Sequence, residues 1–164
     1  MSDPCNIELR NYRYVQTTEW KGEPRIDVRE WETRGENRIP TRKGISLKLQ
    51  RWKLLVEAFD SLDKALEEKT NYSSHIGGNV FVSVRTDSAC VDIRQYWIPP
   101  NQTDLVPCKK GICLRPGEYS KLKDTACVIA DFQPLLNTCI LCIYEHQNQM
   151  SMLECAECSP NDIA

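Results

Sequence analysis

The stretches Ile26-Asp-Val-Arg-Glu-Trp31 and Val91-Asp-Ile-Arg-Gln-Tyr96 decide the fold. They match in chemical character along their length and lie 65 residues apart. In each stretch apolar side chains alternate with polar ones, which is typical of a β-strand that has one buried face. Because the same pattern occurs twice, we predict that the chain contains one structural module in two copies.

The repeat continues on the C-terminal side of both stretches. Residues 42–47 (Arg-Lys-Gly-Ile-Ser-Leu) match residues 109–114 (Lys-Lys-Gly-Ile-Cys-Leu) at a shift of 67. An apolar stripe with helical period follows in each copy, beginning at Trp52 and, less regularly, at Tyr119. We therefore predict an α+β fold of two repeats, each a curved four-stranded antiparallel sheet followed by one helix that covers its apolar face. Because about 60 residues bury little surface alone, the repeats should pair as an intramolecular pseudo-dimer.

The predicted boundaries follow from these matches. The first repeat covers residues 8–70 and the second covers residues 80–135. Gly77-Gly78 marks a linker at residues 71–79. The remaining residues, 136–164, are predicted to form an acidic, cysteine-rich tail.

The net charge of -2 hides a division along the chain. Between Arg10 and Lys53 there are 12 Lys and Arg against 6 Asp and Glu, whereas the rest of the chain has 9 against 17. The first repeat is therefore basic and the remainder acidic. We expect a polyanion to prefer the first repeat, and we expect removal of residues 137–164 to strengthen its binding or leave it unchanged.

Composition excludes several classes of function. With 164 residues, 41% of them hydrophobic, the chain can bury a core. Its nine cysteines are odd in number and its first twenty residues lack a secretory signal, so we expect a reducing compartment. The longest apolar run, Cys139–Tyr144, is far shorter than the roughly 20 residues that cross a bilayer, so we expect no membrane partner. The histidines, His75 and His146, lie in no recognisable catalytic arrangement, and we predict no enzyme.

The motifs resemble the DNA-binding domain of the positive-cofactor-four (PC-four) family of transcriptional coactivators. In the first repeat the resemblance rests on Arg13-Tyr-Val-x3-Glu-Trp-Lys-Gly22 and the stretches at 26–31 and 42–47. In the second it rests on Val82-Ser-Val-Arg85, the stretch from Val91 to Trp97 and Lys109-Lys-Gly-Ile112. Family members are homodimers of one such domain, so the resemblance implies that two tandem copies supply the dimer within one monomeric chain, with higher oligomers left open. It further implies a nuclear coactivator that contacts single-stranded or melted DNA and the transcription machinery.

The polar faces of the predicted sheets carry the groups that single-strand binding requires. Cations neutralise phosphates, and flat side chains stack on bases. Gly44 and Gly111 each follow a cation and are expected to let a phosphate approach the backbone closely. The candidate DNA-binding residues are Trp20, Lys21, Arg29, Trp31, Arg38, Arg42 and Lys43 in the first repeat, and Arg85, Arg94, Tyr96, Trp97, Lys109 and Lys110 in the second.

Other interpretations of these residues stay open. Arg29 and Arg94 each follow an aspartate by two positions, and both can form ion pairs on a strand face. A β-bulge would reverse the alternation and bury Trp31 or Trp97. The repeats also differ, because the first has Trp20 at its hairpin and the second has Trp97 but a short turn instead of the hairpin tryptophan. We therefore predict an asymmetric stacking surface.

Four cysteines in the tail have the spacing of a zinc site. Cys139-x2-Cys142-x12-Cys155-x2-Cys158 presents two pairs of soft ligands, which suit a tetrahedral zinc ion. Alternatively, the first pair is buried as small apolar residues and the second lies in a frayed end. No cofactor is expected to be needed for DNA binding.

Two further functions fit the same pattern. A general protector of single-stranded DNA in replication or repair needs the same cations and aromatic groups. A protein-interaction adaptor that keeps the fold but has lost DNA binding would use the acidic second half of the chain as its binding surface. Loss of binding even at low salt would favour the adaptor.

Overall fold

The computed structural model describes residues 5–160, which form one sheet with helices packed against it. Four strands and a long helix occur in chain order twice, followed by short helical segments. The elements are β1 (Asn6–Arg10), β2 (Arg13–Trp20), β3 (Glu23–Arg34), β4 (Asn37–Lys48), α1 (Leu49–Glu68), β5 (Tyr72–Gly77), β6 (Val80–Val84), β7 (Val91–Trp97), β8 (Val106–Leu114), α2 (Pro116–Phe132), α3 (Leu135–Thr138), a 3₁₀ turn (Cys142–Tyr144) and α4 (Gln149–Glu154).

The strands form a single eight-stranded sheet in the order β1-β2-β3-β4-β8-β7-β6-β5. Neighbours within each repeat are antiparallel, whereas β4 and β8 pair in parallel where Lys43 lies opposite Gly111. The predicted α+β class is confirmed. The sheet is mixed and continuous, however, and does not divide into two separate antiparallel sheets. Residues 72–77, which the sequence assigns to a linker, form strand β5 and pair with β6.

Local chemistry explains the first hairpin. Lys21 and Gly22 both have positive φ, at 50° and 80°. They connect β2 to β3 between Trp20 and Glu23, which pair across the two strands. Two-residue turns with this backbone match the twist of the strands they join, and glycine adopts it without a steric cost. The hairpin therefore projects Trp20 from its end.

Each long helix packs chiefly on the sheet of the other repeat. Helix α1 packs against β5 and also contacts β4 and β6, while α2 packs against β1 and β2. The expectation that each helix covers its own sheet is corrected by these contacts. Since β4 and β8 are neighbours in the middle of the sheet, a helix that follows either strand starts beside the other repeat. The exchange makes the two repeats one packing unit.

The core lies between the sheet and these helices. Trp52 of α1 and Tyr119 of α2 are 2% and 3% exposed, as predicted for residues that begin the apolar stripes. Phe59 and Tyr119 meet edge to face with ring centroids 5.9 Å apart, which joins the two helices. Burial of these large side chains contributes most of the stability of such a core.

A buried carboxylate also links the repeats. Glu118 in the first turn of α2 is 1% exposed, and its Oε1 accepts hydrogen bonds from Arg13 Nη1 at 3.0 Å and from the Arg115 backbone N–H at 2.8 Å. Its Oε2 accepts from Asn11 Nδ2 at 3.0 Å. Because both oxygens are satisfied, Glu118 closes the first turn of α2 and fixes that helix to the first repeat.

No single helix among the described residues is long and apolar enough to cross a membrane. Helix α2 and the segment Leu135–Tyr144 reach that length and composition only as a pair bent by 90°.

Candidate nucleic-acid interface

A basic groove of about 880 Å³ lies where the two repeats meet. Strands β3, β4 and the start of α1 supply one side, and β7 and β8 supply the other. None of the residues that line it is Asp or Glu, although three of its arginines form ion pairs with acids beside it: Arg25 with Glu23, Arg29 with Asp27 and Arg51 with Glu157. Its cationic residues are Arg25, Arg29, Arg42, Arg51, Lys109 and Lys110.

A second hollow of about 480 Å³ adjoins this groove. Arg42 and Lys109 line both spaces. The groove contains Arg29 of the first repeat, and the second hollow contains the matching Arg94 of the second repeat together with Lys43. The internal repeat thus produces two related basic surfaces on either side of a shared pair of cations.

Arg29 is held in place by its neighbours on β3 and β4. Its Nη2 lies 3.2 Å from Oδ1 of Asp27, and its Nη1 donates a hydrogen bond to the Thr41 carbonyl at 2.8 Å. Since Thr41 precedes Arg42, this bond fixes the backbone that carries Arg42. The ion pair with Asp27, one of the two interpretations of this motif, is present in the structure.

Arg94 makes the same contacts in the second repeat. Its Nη2 lies 3.0 Å from Oδ1 of Asp92, and its Nη1 donates to the Cys108 carbonyl at 3.0 Å. The hydrogen bonds and charge of Asp92 raise the pKa of the Arg94 guanidinium, so it stays protonated. Cys108 precedes Lys109, just as Thr41 precedes Arg42. Arg29 and Arg94 therefore act on the groove by positioning the cation that follows their backbone partner.

Close packing against Arg29 and Arg94 explains why positions 44 and 111 are glycine. A Cβ placed on Gly44 would lie 2.7 Å from Cγ of Arg29, and one on Gly111 would lie 2.9 Å from both Cα and Cβ of Arg94. Glycine is thus required for the close approach of the neighbouring strand. The sequence suggested that this space serves a phosphate, but Arg29 fills it at Gly44, and the Ile93 carbonyl and Arg94 fill it at Gly111.

The exposed cations differ in how they are paired. Arg42, Lys109 and Lys110 are exposed, and across residues 5–160 none of them forms a salt bridge. Lys43 has Glu30 Oε2 at 3.7 Å from its Nζ. The unpaired cations are the ones that can exchange water for phosphate without first breaking an ion pair.

Two exposed tryptophans lie at the groove and beyond it. Trp97 lines the groove and is 47% exposed. Trp20 is 56% exposed at the first hairpin, where Lys21 Nζ and Arg25 Cζ lie 4.5 Å and 5.1 Å from its ring centroid. Since Arg25 also lines the groove, it connects the surface around Trp20 to the groove.

Trp31 lies outside the groove, next to a β-bulge. The register of β3 against β4 shifts between Arg29 and Trp31, as the alternative interpretation anticipated. Trp31 is half-buried, and Arg38 Cζ lies 5.4 Å from its ring and 4.0 Å from that of Tyr14. Because Arg38 covers both rings, Trp31 is less accessible to a base than Trp97.

Tyr96 is the counterpart of Trp31 in the second repeat. A matching register shift lies between Arg94 and Tyr96, and the Tyr96 ring packs edge to face against Phe81 with centroids 5.0 Å apart. Tyr96 and Arg85 line a separate hollow of about 360 Å³. This hollow also contains Asp87 and Asp92, so it is less basic than the groove.

The structure therefore gathers only part of the predicted DNA-binding set. Arg29, Arg42, Trp97, Lys109 and Lys110 line the groove. Two of the groove's cations, Arg25 and Arg51, escape sequence reasoning, as does the polar Gln95. Arg25 carries a detectable signal, because it occupies the same alternating face of β3 as Arg29.

Comparison with known proteins accounts for the two repeats. The sequence model of the family described as Transcriptional Coactivator p15 (PC4) matches residues 7–58 and, again, residues 74–125. The chain belongs to this family. The double match confirms the tandem copies inferred from the repeat.

Curated relatives of this PC4 chain carry related names. A Drosophila melanogaster protein named RNA polymerase II transcriptional coactivator is 37% identical over 59 residues, which are 36% of this chain and 54% of the relative. The Arabidopsis thaliana protein named RNA polymerase II transcriptional coactivator KIWI is 34% identical over 64 residues, or 39% of this chain and 58% of the relative. The chain thus spans little more than half the length of each of these relatives.

The tail lies outside both PC4 matches and packs against the rim of the groove. Glu157 accepts two hydrogen bonds from Arg51, from Nε at 2.8 Å and from Nη2 at 2.7 Å, and its carbonyl accepts from the Gly78 N–H at 3.0 Å. Burial opposes ionisation of Glu157, but the hydrogen bond and charge of Arg51 lower its pKa overall. Glu157 therefore neutralises Arg51, which is one of the groove cations. Gly78 has a φ of 56°, which glycine adopts without strain, and a Cβ there would meet the Arg51 guanidinium.

The tail also contains a cluster of metal-ligating side chains. The ligand atoms of Cys142, His146, Cys155 and Cys158 all lie within 4.8 Å of one another. Cys139 is not in this cluster, since it packs against the core with its Sγ 3.8 Å from the Leu136 carbonyl. The predicted four-cysteine set is thus corrected, with His146 in place of Cys139. The 3₁₀ turn that begins at Cys142 brings His146 back toward Cys142, a relation that the Cys-x3-His spacing encodes.

Backbone geometry prepares one of these thiols for ionisation. Hydrogen bonds from the backbone of Cys158 and Glu157 lower the pKa of Cys155 to about 7. The pKa of Cys158 is raised to about 12 by burial and by the neighbouring Cys142 and Cys155 thiols. The cluster therefore holds one readily formed thiolate among sulfurs that remain protonated in the absence of a positive charge.

Proposed function

We propose that the chain is a nuclear transcriptional coactivator that binds single-stranded or melted DNA in the groove between its two repeats. The observation that carries this proposal is the set of six Lys and Arg side chains, contributed by both repeats, in a groove whose lining contains no acid. Membership of the PC4 family and the names of the two relatives support the link to transcription. Proteins of the transcription machinery are the proposed partners, and one chain serves as the pseudo-dimer.

The groove suits a single strand better than a duplex. Trp97 on its wall is 47% exposed, and Trp20 is 56% exposed and connected to the groove by Arg25, which lies over the Trp20 ring together with Lys21. Bases of a single strand can stack on such rings, which contributes about 1–3 kcal/mol per base. The bases of a duplex are stacked on one another and expose only their edges, so a duplex would use the cations alone.

The cations have different proposed roles. Arg42, Lys109 and Lys110 contact phosphates, because they are exposed and unpaired among the described residues. Arg29 and Arg94 hold the backbone that precedes these cations, because they donate hydrogen bonds to the carbonyls of Thr41 and Cys108. The other predicted residues extend the surface beyond the groove: Lys21, Trp31, Arg38, Lys43, Arg85 and Tyr96.

The proposal is tested by fluorescence anisotropy of labelled oligonucleotides. Single strands and duplexes of equal length are titrated with the full chain over a range of salt concentrations. We expect tighter binding to the single strand and an affinity that falls steeply as salt rises. Trp97→Ala should weaken single-strand binding by about 5- to 150-fold, which corresponds to the stacking energy of one base.

The matched control is Tyr12→Ala, since Tyr12 is 65% exposed but lines neither basic hollow. It should leave single-strand affinity unchanged. Equal affinity for single strand and duplex would contradict the proposal. Absence of binding to both at low salt would favour the protein-interaction adaptor instead.

A further inference from the structure

We propose that Cys142, His146, Cys155 and Cys158 bind one zinc ion, which fixes the tail on the rim of the groove. The sequence pattern suggested zinc with a different ligand set, and the cluster lies outside the residues that match the PC4 family.

The distances within the cluster fit a tetrahedral zinc ion. Zinc–sulfur bonds of about 2.3 Å and zinc–nitrogen bonds of about 2.0 Å place two sulfurs roughly 3.8 Å apart and a sulfur and a nitrogen roughly 3.6 Å apart. Cys142 Sγ lies 3.8 Å from Cys155 Sγ and 3.5 Å from His146 Nε2. His146 Nε2 lies 3.1 Å from Cys158 Sγ, and the remaining ligand pairs lie within 4.8 Å, so small side-chain shifts bring the four atoms to tetrahedral spacing.

Apart from the bonds made by Glu157, the described part of the segment that carries these ligands has no buried side chains to hold it. Among the described residues from Cys142 to Pro160, none is buried, and Met150 and Leu153 of α4 are more than half exposed. A segment of this size cannot form a hydrophobic core of its own, and small structural units that lack one depend on a metal or another cross-link. Four ligands from both ends of the segment provide such a cross-link.

The ion also determines where Glu157 lies. Glu157 stands between the ligands Cys155 and Cys158, and it makes the bonds to Arg51 and to the Gly78 backbone. Fixing Cys155, two residues before Glu157, and Cys158, directly after it, fixes the carboxylate between them. The zinc ion thereby connects the tail to α1 of the first repeat and to the β5–β6 turn of the second.

The test measures metal in the purified full chain by inductively coupled plasma mass spectrometry. We expect about one zinc per chain, lost in His146→Ala and in Cys155→Ser. The matched control is Cys139→Ala, which removes a tail cysteine outside the cluster and should retain the metal. His146→Cys should also retain it, because a fourth thiolate can replace the imidazole.

Hydrogen exchange supplies a second measurement that does not depend on DNA binding. Chelation of the zinc should accelerate exchange of the Gly78 amide and of amides in residues 142–160, while amides of the core strands keep their protection. Three results would overturn the proposal: a chain without zinc that also fails to bind added Co²⁺, loss of metal in Cys139→Ala but not in His146→Ala, or a disulfide between Cys142 and Cys155.

Discussion

Replacing Arg42 and Lys109 with glutamine removes the two cations that line both basic hollows. Both side chains are exposed and form no salt bridge among the described residues, so their loss should leave the fold intact. For single-stranded DNA each neutralised phosphate changes the slope of log K against log salt by about 0.7. The double variant should therefore reduce that slope by about 1.4, which corresponds to roughly 25-fold weaker binding at about 0.1 M salt.

The assay is anisotropy of a labelled single strand at several salt concentrations, with urea unfolding as a check on stability. The control is Lys64→Gln with Lys121→Gln, which makes the same change in net charge at exposed positions on α1 and α2. We expect the control to lose little affinity. If both double variants lose affinity equally, binding responds to net charge alone and the groove is not the site.

Four single variants test three further features: the stacking tryptophans, the Arg51–Glu157 pair and the buried Glu118. Trp20→Ala and Trp97→Ala should weaken single-strand binding to a comparable extent, about 5-fold or more each, by anisotropy, and no loss from either would exclude the asymmetric stacking surface. Glu157→Gln should free Arg51 and strengthen binding by up to about fivefold at 0.1 M salt, while the exposed Glu154→Gln should not; weaker binding would show that the tail supports the groove. Glu118→Ala should destabilise the fold by up to about 3–5 kcal/mol in urea unfolding, because Arg13 then keeps only its longer ion pair with Glu30, and a loss below about 1 kcal/mol would refute that role.

The repeat and its strands could be predicted because their signals are local. The alternation around Ile26 and Val91 identifies strands, and the turn at Lys21-Gly22 requires only two residues of backbone. The apolar stripes beginning at Trp52 and Tyr119 identify buried helix faces. In each case residues that are close in sequence are enough to predict the strand, the turn or the buried helix face.

The arrangement of those elements is not local. An apolar stripe shows that a helix is buried but not which sheet it covers, so the exchange of α1 and α2 between repeats escapes prediction. The parallel pairing of β4 with β8 has one register position, Lys43 opposite Gly111, and it appears only in three dimensions. The close approach of Arg94 on β7 to Gly111 likewise depends on the folded sheet. The same holds for Arg51, which reaches the groove through the packing of α1.

The metal cluster shows a similar limit. Regular Cys-x2-Cys spacing favours four cysteines, but the end of α3 directs Cys139 to the core. The 3₁₀ turn that follows places His146 in the cluster instead. The sequence around His146 has no regular hydrophobic pattern that would predict this turn. Ligand choice is thus determined by a turn whose geometry the spacing alone does not specify.

Ultraviolet cross-linking of the full chain to a thymine-rich single strand, followed by mass spectrometry of the joined peptides, tests the central claim most directly. We predict cross-links within β7 and β8, at or near Trp97, and at the hairpin that carries Trp20. Cross-links confined to Tyr12, to the hollow around Arg85 or to the tail around Tyr144 would contradict binding in the groove between the repeats.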